Sequence, residues 1–534
     1  MFMKQATISC ALILFLWGQV TAQASPKPRF ASVEIGGTAI IGIKGDFDSF
    51  NELNAADADA LQVIQHMLFM TLTRHNASLE IVPYLARAWE FSEDGKILTY
   101  HLRTDIFWSD GVPTTARDVA FTYQLATHPK VAYPASSRFD LTRRVQALND
   151  STVKFYFKRA YPEALLDTQM PILPAHILEK VPVEQMQEAA FNRRPVTNGP
   201  FRLRSWLPNQ KLVFEANPDF AAGPPRLQRV IFVIVPDEAV LLTHLLSGEV
   251  DLVPACSPNN APLLLSDNRV RAVRYPGREF TFVAWNFKNE LFTPKVRQAL
   301  TYALNRQEIL KTVLNGYGRL ARGPFMPFVW AYWEDLPEYN YNLNKARELL
   351  REDGWRFSAS RGLWYKNERP LEFSLKLHSA SQQHTDTAIL MQAQWRKLGV
   401  KVQLEPVAWN LLIRQVLEER DFDAVLLAWD SDFGVNPAPL WHSSAIESGY
   451  NFIGYKNAAV DSLIEHGRAA ANPAQAMPYW IAFQRLLLRD CPYSFLYLPD
   501  KLAGVNRRLR GVKLDVRGFL ANVCQWWIPR DARR

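Results

Sequence analysis

Residues 83–121 read PYLARAWEFSEDGKILTYHLRTDIFWSDGVPTTARDVAF. Within this stretch Asp94-Gly95 is a tight-turn signal, and the residues after it alternate between apolar and polar, as they do in a half-buried strand. Asp110-Gly111 is a second turn signal, and Thr115 with Asp118 has the spacing of a helix capping box. The stretch therefore predicts a β-hairpin followed by a capped helix.

The rest of the chain has the composition of a folded protein with several domains. Its 534 residues suffice for about three domains, and 48% of them are hydrophobic while 21% are charged, which argues against disorder. Predicted strands alternate with predicted helices, a pattern typical of α/β layers. The net charge is +8, or 8 − 1 = +7 without Lys4 of the leader, and the basic residues are scattered among acidic ones. This distribution argues against a nucleic-acid partner.

The first 24 residues have the pattern of a secretory signal peptide. A single charge, Lys4, precedes an apolar run over residues 6–18, and the leader ends in Ala22-Gln-Ala24. The apolar run is well short of the ~20 residues that a membrane span needs. Cys10 lies too early in the leader for a lipoprotein cleavage site. We therefore expect an exported periplasmic protein whose mature chain starts near Ser25.

The sequence shows no motif for catalysis or metal binding. It contains no nucleophile elbow, no zinc-protease motif and no phosphate-binding loop. Cys256, Cys491 and Cys524 follow the leader without metal-ligand spacing, and one disulfide of undetermined pairing is possible among them in an oxidising compartment. We therefore expect no cofactor, no metal and no catalytic residue.

Residues 83–121 resemble the signature region of the bacterial extracellular solute-binding proteins of family 5, which serve ABC importers of oligopeptides, dipeptides and nickel. The resemblance continues in order along the mature chain. It includes Thr197-Asn-Gly-Pro-Phe201, Asn217-Pro-Asp-Phe220, Gly248-Glu-Val-Asp-Leu252, Val296-Arg-Gln-Ala-Leu300 and Gly449-Tyr-Asn-Phe-Ile-Gly-Tyr455. It implies an α/β, two-lobed periplasmic binding protein fold with an inserted third domain and a hinge between the lobes.

The resemblance also implies that the chain is divided into a signal peptide, two lobes and an inserted domain. After the signal peptide (1–24), the first lobe comprises residues 25–72, 195–284 and 500–534, the inserted domain residues 73–194, and the second lobe residues 285–499. Two extended segments, 280–286 and 495–498, are expected to cross between the lobes. Two neighbouring crossovers are what a hinge requires.

The candidate binding residues lie around an apolar run at 425–428 that predicts a buried strand. Trp429, Asp430, Asp432 and Phe433 follow it, where sites tend to form. Trp429-Asp-Ser-Asp432 matches the family's Trp-x-x-Asp, whose Asp receives the ligand α-amine in many peptide-binding members and is not acidic in the nickel-binding branch. The resemblance therefore implies that Asp432 anchors an amine and that Trp429 forms a wall of the pocket, with Phe433 among the ligand-binding residues.

Two more residues, Trp441 and Tyr497, complete the candidates. Trp441 is expected at the cleft, followed by His442. Tyr497, near the second crossover, matches a position that lines the cleft in some relatives, although packing at the hinge would explain it equally well. The loop departs from many relatives at Asn436-Pro-Ala-Pro439, where they have Asp-Pro-x-Pro.

The predicted function is capture of a short peptide between two lobes for delivery to a membrane-embedded ABC permease, by a monomer and without chemistry. An oligosaccharide or a nickel chelate is the alternative ligand. The alternative outside the binding proteins is an enzyme, a secreted glycoside hydrolase, in which Asp430 and Asp432 could form the carboxylate pair. Peptide length, side-chain preference and the partner permease are left open by the sequence.

Overall fold

The computed structural model describes residues 35–533, apart from the side chain of Ser448. The predicted leader and its cleavage site lie outside these residues. No helix in the described part of the chain is long and apolar enough to cross a membrane. In chain order, the strands are β1 Thr38–Ile43, β2 Thr73–His75, β3 Ile81–Pro83, β4 Ala86–Phe91, β5 Ile97–Leu102, β6 Thr142–Asn149, β7 Thr152–Phe157, β8 Phe201–Leu207, β9 Lys211–Ala216, β10 Arg229–Ile234, β11 Leu252–Cys256, β12 Val270–Pro276, β13 Glu279–Trp285, β14 Gly318–Leu320, β15 Arg356–Ser358, β16 Leu363–Lys366, β17 Arg369–Pro370, β18 Glu372–His378, β19 Lys401–Val407, β20 Ala424–Asp430 and β21 Tyr493–Asn506.

An α-helix lies in half of the connections between successive strands, and the α/β class predicted from the sequence is confirmed. In chain order, they are α1 Ala58–Val63, α2 Ala116–Ala126, α3 Ala164–Asp167, α4 Ala175–Leu178, α5 Glu238–Ser247, α6 Ala261–Ser266, α7 Pro294–Tyr302, α8 Arg306–Thr312, α9 Leu343–Glu352, α10 Gln382–Leu398, α11 Trp409–Ile413, α12 Ala438–Trp441, α13 Ala445–Ser448, α14 Ala458–Ala469 and α15 Pro473–Asp490.

One extended sheet runs through the molecule. Its strand order is β19-β18-β20-β13-β21-β11-β1-β10-β9-β8, and β12 and β14 also pair with β21. A separate antiparallel sheet, β4-β5-β7-β6, forms in the inserted domain. There the predicted hairpin joins β4 to β5, with Gly95 at a positive φ of 67° in the turn. The predicted capping box forms at the N-terminus of α2, where the Thr115 backbone N–H donates to the Asp118 carboxylate at 2.8 Å.

Helices of the second lobe cover both faces of the sheet around β13. In β13, Val283 and Trp285 pack into one apolar cluster with helices α7, α9 and α10. Phe280 and Phe282 pack into another with helix α15. Because both faces are covered, β13 has a nearly continuous apolar sequence rather than an alternating one.

The two lobes are joined where β12 and β13 meet β21. Residues 493–497 of β21 pair with β13, while residues 500–506 pair with β12, so β21 belongs to both lobes. A Cβ on Gly277 would lie 2.7 Å from the carbonyl oxygen of Pro499, so a glycine lets the two crossing segments touch. The first crossing is at 277–278, earlier than the predicted 280–286, because residues 280–285 already lie in β13. The domain limits stay a prediction.

Cys256, Cys491 and Cys524 are all free thiols. The disulfide that the sequence left open is therefore not formed in this structure.

Candidate ligand-binding site

A cavity of about 310 Å³ lies between the inserted domain and the second lobe. Residues 135–141 and 161–167 form one wall, and residues 430–441 form the opposite wall. The lining is completed by Phe280, Pro324, Phe325, Trp330, Gly467, Arg468 and Trp480. Small-ligand sites commonly have roughly 300–1,000 Å³, so this cavity is at the small end of that range.

Strand β20 positions the wall that carries the predicted amine anchor. The strand ends at Asp430, opposite Glu279 of β13, and the Ser431 N–H then donates to the Arg278 carbonyl at 2.8 Å. The chain is thereby tied to the crossover just before Asp432. The Asp432 carboxylate lines the cavity, is exposed and accepts the Phe433 N–H at 2.7 Å.

Within the described part of the chain, no lysine, arginine or histidine nitrogen forms an ion pair with the Asp432 carboxylate within 4.0 Å. Arg138 and His75 interact with the carboxylate electrostatically beyond that distance. Burial lowers the pKa of His75, so its ring is largely neutral at pH 7. The carboxylate is available to a cationic ligand.

The five predicted binding residues are only partly brought together. Asp432 and Trp441 line the cavity, as does Asp430. Phe433 lies beside it, stacked on His75 of the inserted domain with ring centroids 4.7 Å apart. The binding roles of all five residues stay predictions.

Trp429 and Tyr497 lie away from the cavity wall. Trp429 stacks on Phe282 at 6.3 Å between ring centroids, and its indole N–H donates to the Tyr493 hydroxyl at 3.4 Å. Tyr497 is fully buried in β21, where its hydroxyl lies 3.0 Å from that of Thr387. His442 hydrogen bonds to Ser444 at 2.7 Å and is likewise not part of the lining.

The wall formed by the inserted domain was not anticipated from the sequence. It contributes Arg138, Tyr161, Glu163 and Asp167, which belong to no motif. The only sequence signal is that Glu163 and Asp167 are four residues apart, which places them on one face of the short helix α3.

The lining of the cavity is acidic. Its carboxylates outnumber its guanidinium groups five to two, giving 2 − 5 = −3 when all are ionised: Asp140, Glu163, Asp167, Asp430 and Asp432 against Arg138 and Arg468. Burial raises the pKa of Glu163 to about 7 and that of Asp167 to about 6. The charge of Asp167 further raises the pKa of Glu163, while Arg138 lowers that of Asp167. Such a lining favours a cationic ligand.

The two walls touch each other around the cavity. The Trp330 indole N–H donates to Glu163 Oε1 at 2.7 Å, and the Arg159 guanidinium donates to the Arg468 carbonyl at 2.5 Å. A Cβ on Gly434 would lie 3.1 Å from Leu166 Cδ2 and 3.5 Å from Glu163 Oε2. The structure is therefore a closed form in which backbone of the second lobe packs directly on α3.

Comparison with known proteins identifies the family. The family model described as "Bacterial extracellular solute-binding proteins, family 5 Middle" matches residues 80–450. The oligopeptide-binding protein AppA of Bacillus subtilis (strain 168) is 31% identical over 524 residues, which cover 96% of this chain and 95% of that protein.

Two solved structures are similar over almost their whole length. That of AppA from Bacillus subtilis, in complex with a nonapeptide, has a TM-score of 0.78 and 29% identity, and the match covers 93% of this chain and 100% of the other. That of NikZ from Campylobacter jejuni, in complex with Ni(L-His), has a TM-score of 0.79 and 26% identity, over 92% and 99% of the two chains. The chain belongs to the bacterial extracellular solute-binding proteins of family 5, as the sequence resemblance predicted.

Proposed function

We propose that this protein captures a short peptide in the cavity between its inserted domain and its second lobe and delivers it to a membrane-embedded ABC permease. The observation that carries the proposal is the Asp432 carboxylate, which faces an acidic cavity without an ion-pair partner among the described residues. An α-amine would form a charge-assisted hydrogen bond with it. The protein acts as a monomer by binding alone, without chemistry.

The size of the cavity supports a peptide shorter than that bound by the relative. AppA was solved with a nonapeptide, whereas a cavity of about 310 Å³ is near the lower limit for small-ligand sites. We therefore favour peptides of two to a few residues. The division into lobes and inserted domain belongs to this proposal, since a ligand held by both walls stabilises the closed form.

A ligand screen tests the proposal against its alternatives. Di- to pentapeptides, oligosaccharides and a nickel–histidine complex are each added to the purified protein, and its thermal unfolding is followed. A ligand at 100 times its Kd adds about 2.7 kcal/mol to stability. Saturable stabilisation by peptides alone supports the proposal, while stabilisation by sugars or the nickel complex alone would overturn it. Turnover of chromogenic glycosides would indicate the hydrolase instead.

Export is the first specific prediction. The leader should be removed after Ala24, so the mature chain should begin at or near Ser25 and appear in the fraction released by osmotic shock. Mass spectrometry of the N-terminal peptide checks this. Recovery only in the membrane fraction, with an acylated N-terminus, would contradict it.

We also predict that a bound peptide closes the lobes. A saturating peptide should reduce the radius of gyration measured by X-ray scattering, because it holds together two walls joined by the crossovers at 277–278 and 497–500. Gly434→Leu should oppose this closure, since its side chain would occupy the space of Leu166 and Glu163. Overpacking of this kind costs about 1–3 kcal/mol.

The variant should therefore remain open and bind peptide more weakly, while its unfolding in the absence of ligand changes little. The matched control is Gly45→Leu, because nothing lies within 4 Å of its Cβ position and its φ is not in the left-handed region. Identical scattering of the wild type with and without a saturating ligand would count against a hinge.

A further inference from the structure

Two carboxylates of the inserted domain face the cavity from the side opposite Asp432. Glu163 immediately precedes helix α3 and Asp167 is its last residue, and both are half-buried in the lining. The Glu163 carboxylate accepts a hydrogen bond from the Trp330 indole N–H and also interacts with the backbone N–H of Val435. Among the described residues, neither carboxylate has an ion-pair partner within 4.0 Å.

A buried hydroxyl lies beside these carboxylates and interacts with one of them. Tyr161 lines the same cavity and is 6% exposed, and its hydroxyl interacts with the Asp167 carboxylate through a hydrogen bond of loose geometry. The indole N–H of Trp480, also in the lining, has no partner within the described part of the chain. A buried polar group left without a partner is costly, so the Trp480 N–H indicates a contact that a ligand supplies.

The arginines of the lining compensate the two carboxylates only in part. Arg138 and Arg468 both lower the pKa of Asp167, but neither forms an ion pair with it within 4.0 Å. The Arg138 guanidinium donates to the Leu166 carbonyl at 3.3 Å and also interacts with buried Glu52. When all its groups are ionised the lining has a net charge of −3, which a zwitterionic peptide of neutral side chains would leave unchanged. One lysine or arginine side chain would bring it to −2.

We propose that Tyr161, Glu163 and Asp167 form a subsite for the cationic side chain of a peptide ligand, so that the protein prefers peptides containing lysine or arginine. The subsite lies across the cavity from Asp432, which takes the α-amine. The inference rests on the proposed function and adds the chemical class of the side chain.

Calorimetric titration with matched peptides tests the subsite. The tripeptides Lys-Ala-Ala, Ala-Lys-Ala and Ala-Ala-Lys are compared at pH 7 with the same peptides carrying norleucine, which has a similar shape and no charge. At one position or more, the lysine peptide should bind wild type at least about tenfold more tightly, as expected for a hydrogen bond to a charged group. If the peptides bind and no position prefers lysine by more than twofold, the inference is overturned while the proposed function stands.

Variants of Glu163 and Asp167 test whether these two residues cause the preference for lysine. Asp167→Asn with Glu163→Gln should reduce the lysine preference to within twofold, whereas Glu188→Gln, which removes an exposed carboxylate of the same domain, should keep it. An unchanged preference in the double variant would overturn the inference. Should the double variant not fold, the wild-type comparison still decides. If none of the six peptides binds, the proposed function itself fails, and the subsite with it.

Binding should also be coupled to protons. Without ligand the raised pKa values leave Glu163 and Asp167 partly protonated near pH 6–7, and they must lose these protons to receive a cation. Lysine peptides should therefore bind more tightly as the pH rises from 5 to 7.5, with proton release that norleucine peptides do not show. The charged groups facing the two carboxylates are Arg138, Asp140, Tyr161, Asp430, Asp432 and Arg468. Equal pH profiles for both peptide sets would contradict the subsite.

Discussion

Asp432→Ala should weaken peptide binding by about 2–5 kcal/mol, or roughly 30- to 5,000-fold in Kd. The carboxylate faces the cavity from the exit of β20, and the only hydrogen bond described for it comes from the adjacent Phe433 N–H. A peptide α-amine that meets it in the closed form loses its water, so removing the carboxylate leaves a buried charge without a partner. Titration calorimetry with a tripeptide measures the loss.

The control for this variant is an aspartate at the other end of the same strand. Asp421 is exposed and does not line the cavity, so Asp421→Ala should change the affinity little. Asp430 is less suitable, because it lines the cavity and faces Glu279. In the mirror experiment, N-acetylation of the peptide should weaken binding to wild type strongly and add little to the loss in Asp432→Ala. Equal affinity of wild type for the free and acetylated peptides would show that Asp432 is not an amine anchor.

Asp251→Ala should lower the free energy of unfolding by about 3–5 kcal/mol, because it breaks a buried ion pair. The Asp251 side chain is fully buried and accepts from the Arg508 guanidinium at 2.5 and 2.6 Å. It also accepts the Ile40 N–H at 2.9 Å. The pair thus joins β1 and the start of β11 to the C-terminal segment, the three pieces from which the first lobe is predicted to assemble.

Hydrogen exchange would show which part of the molecule loses stability in Asp251→Ala. In Asp251→Ala, the amides of β1 and of residues 502–506 should exchange faster, while those of β18 and β20 in the second lobe keep their protection. The matched control is Asp267→Ala, which removes the partner of Arg269 from a surface pair whose guanidinium is 62% exposed, and it should cost far less stability than Asp251→Ala. Equal stability of Asp251→Ala and wild type would contradict the assembly of the first lobe around this pair.

Local signals in the sequence were enough to predict the fold class and the strand that forms one wall of the candidate cavity. The capping box at Thr115 depends on residues three positions apart and formed as predicted. The apolar run at 425–428 became part of β20, so Asp432 follows its end as expected. Both features depend on residues that are close together along the chain. The family's Trp-x-x-Asp motif indicated Asp432, rather than Asp430, as the predicted amine anchor.

The opposite wall depends on packing that the sequence does not show. Tyr161 and Asp167 reach the cavity only because the inserted domain folds against the second lobe, about 270 positions further along the chain. Tyr497 illustrates the related problem of direction. Its strand is buried on both faces, so no alternation indicates which face its ring occupies, and in the structure it contacts α10.

A crystal structure of the mature protein with a saturating tripeptide would show whether Asp432 binds the α-amine of the ligand. We expect the peptide in the cavity between the inserted domain and the second lobe, with its α-ammonium nitrogen about 2.7–2.9 Å from an oxygen of Asp432. A peptide bound elsewhere, or one in this cavity whose α-amine does not contact Asp432, would contradict it.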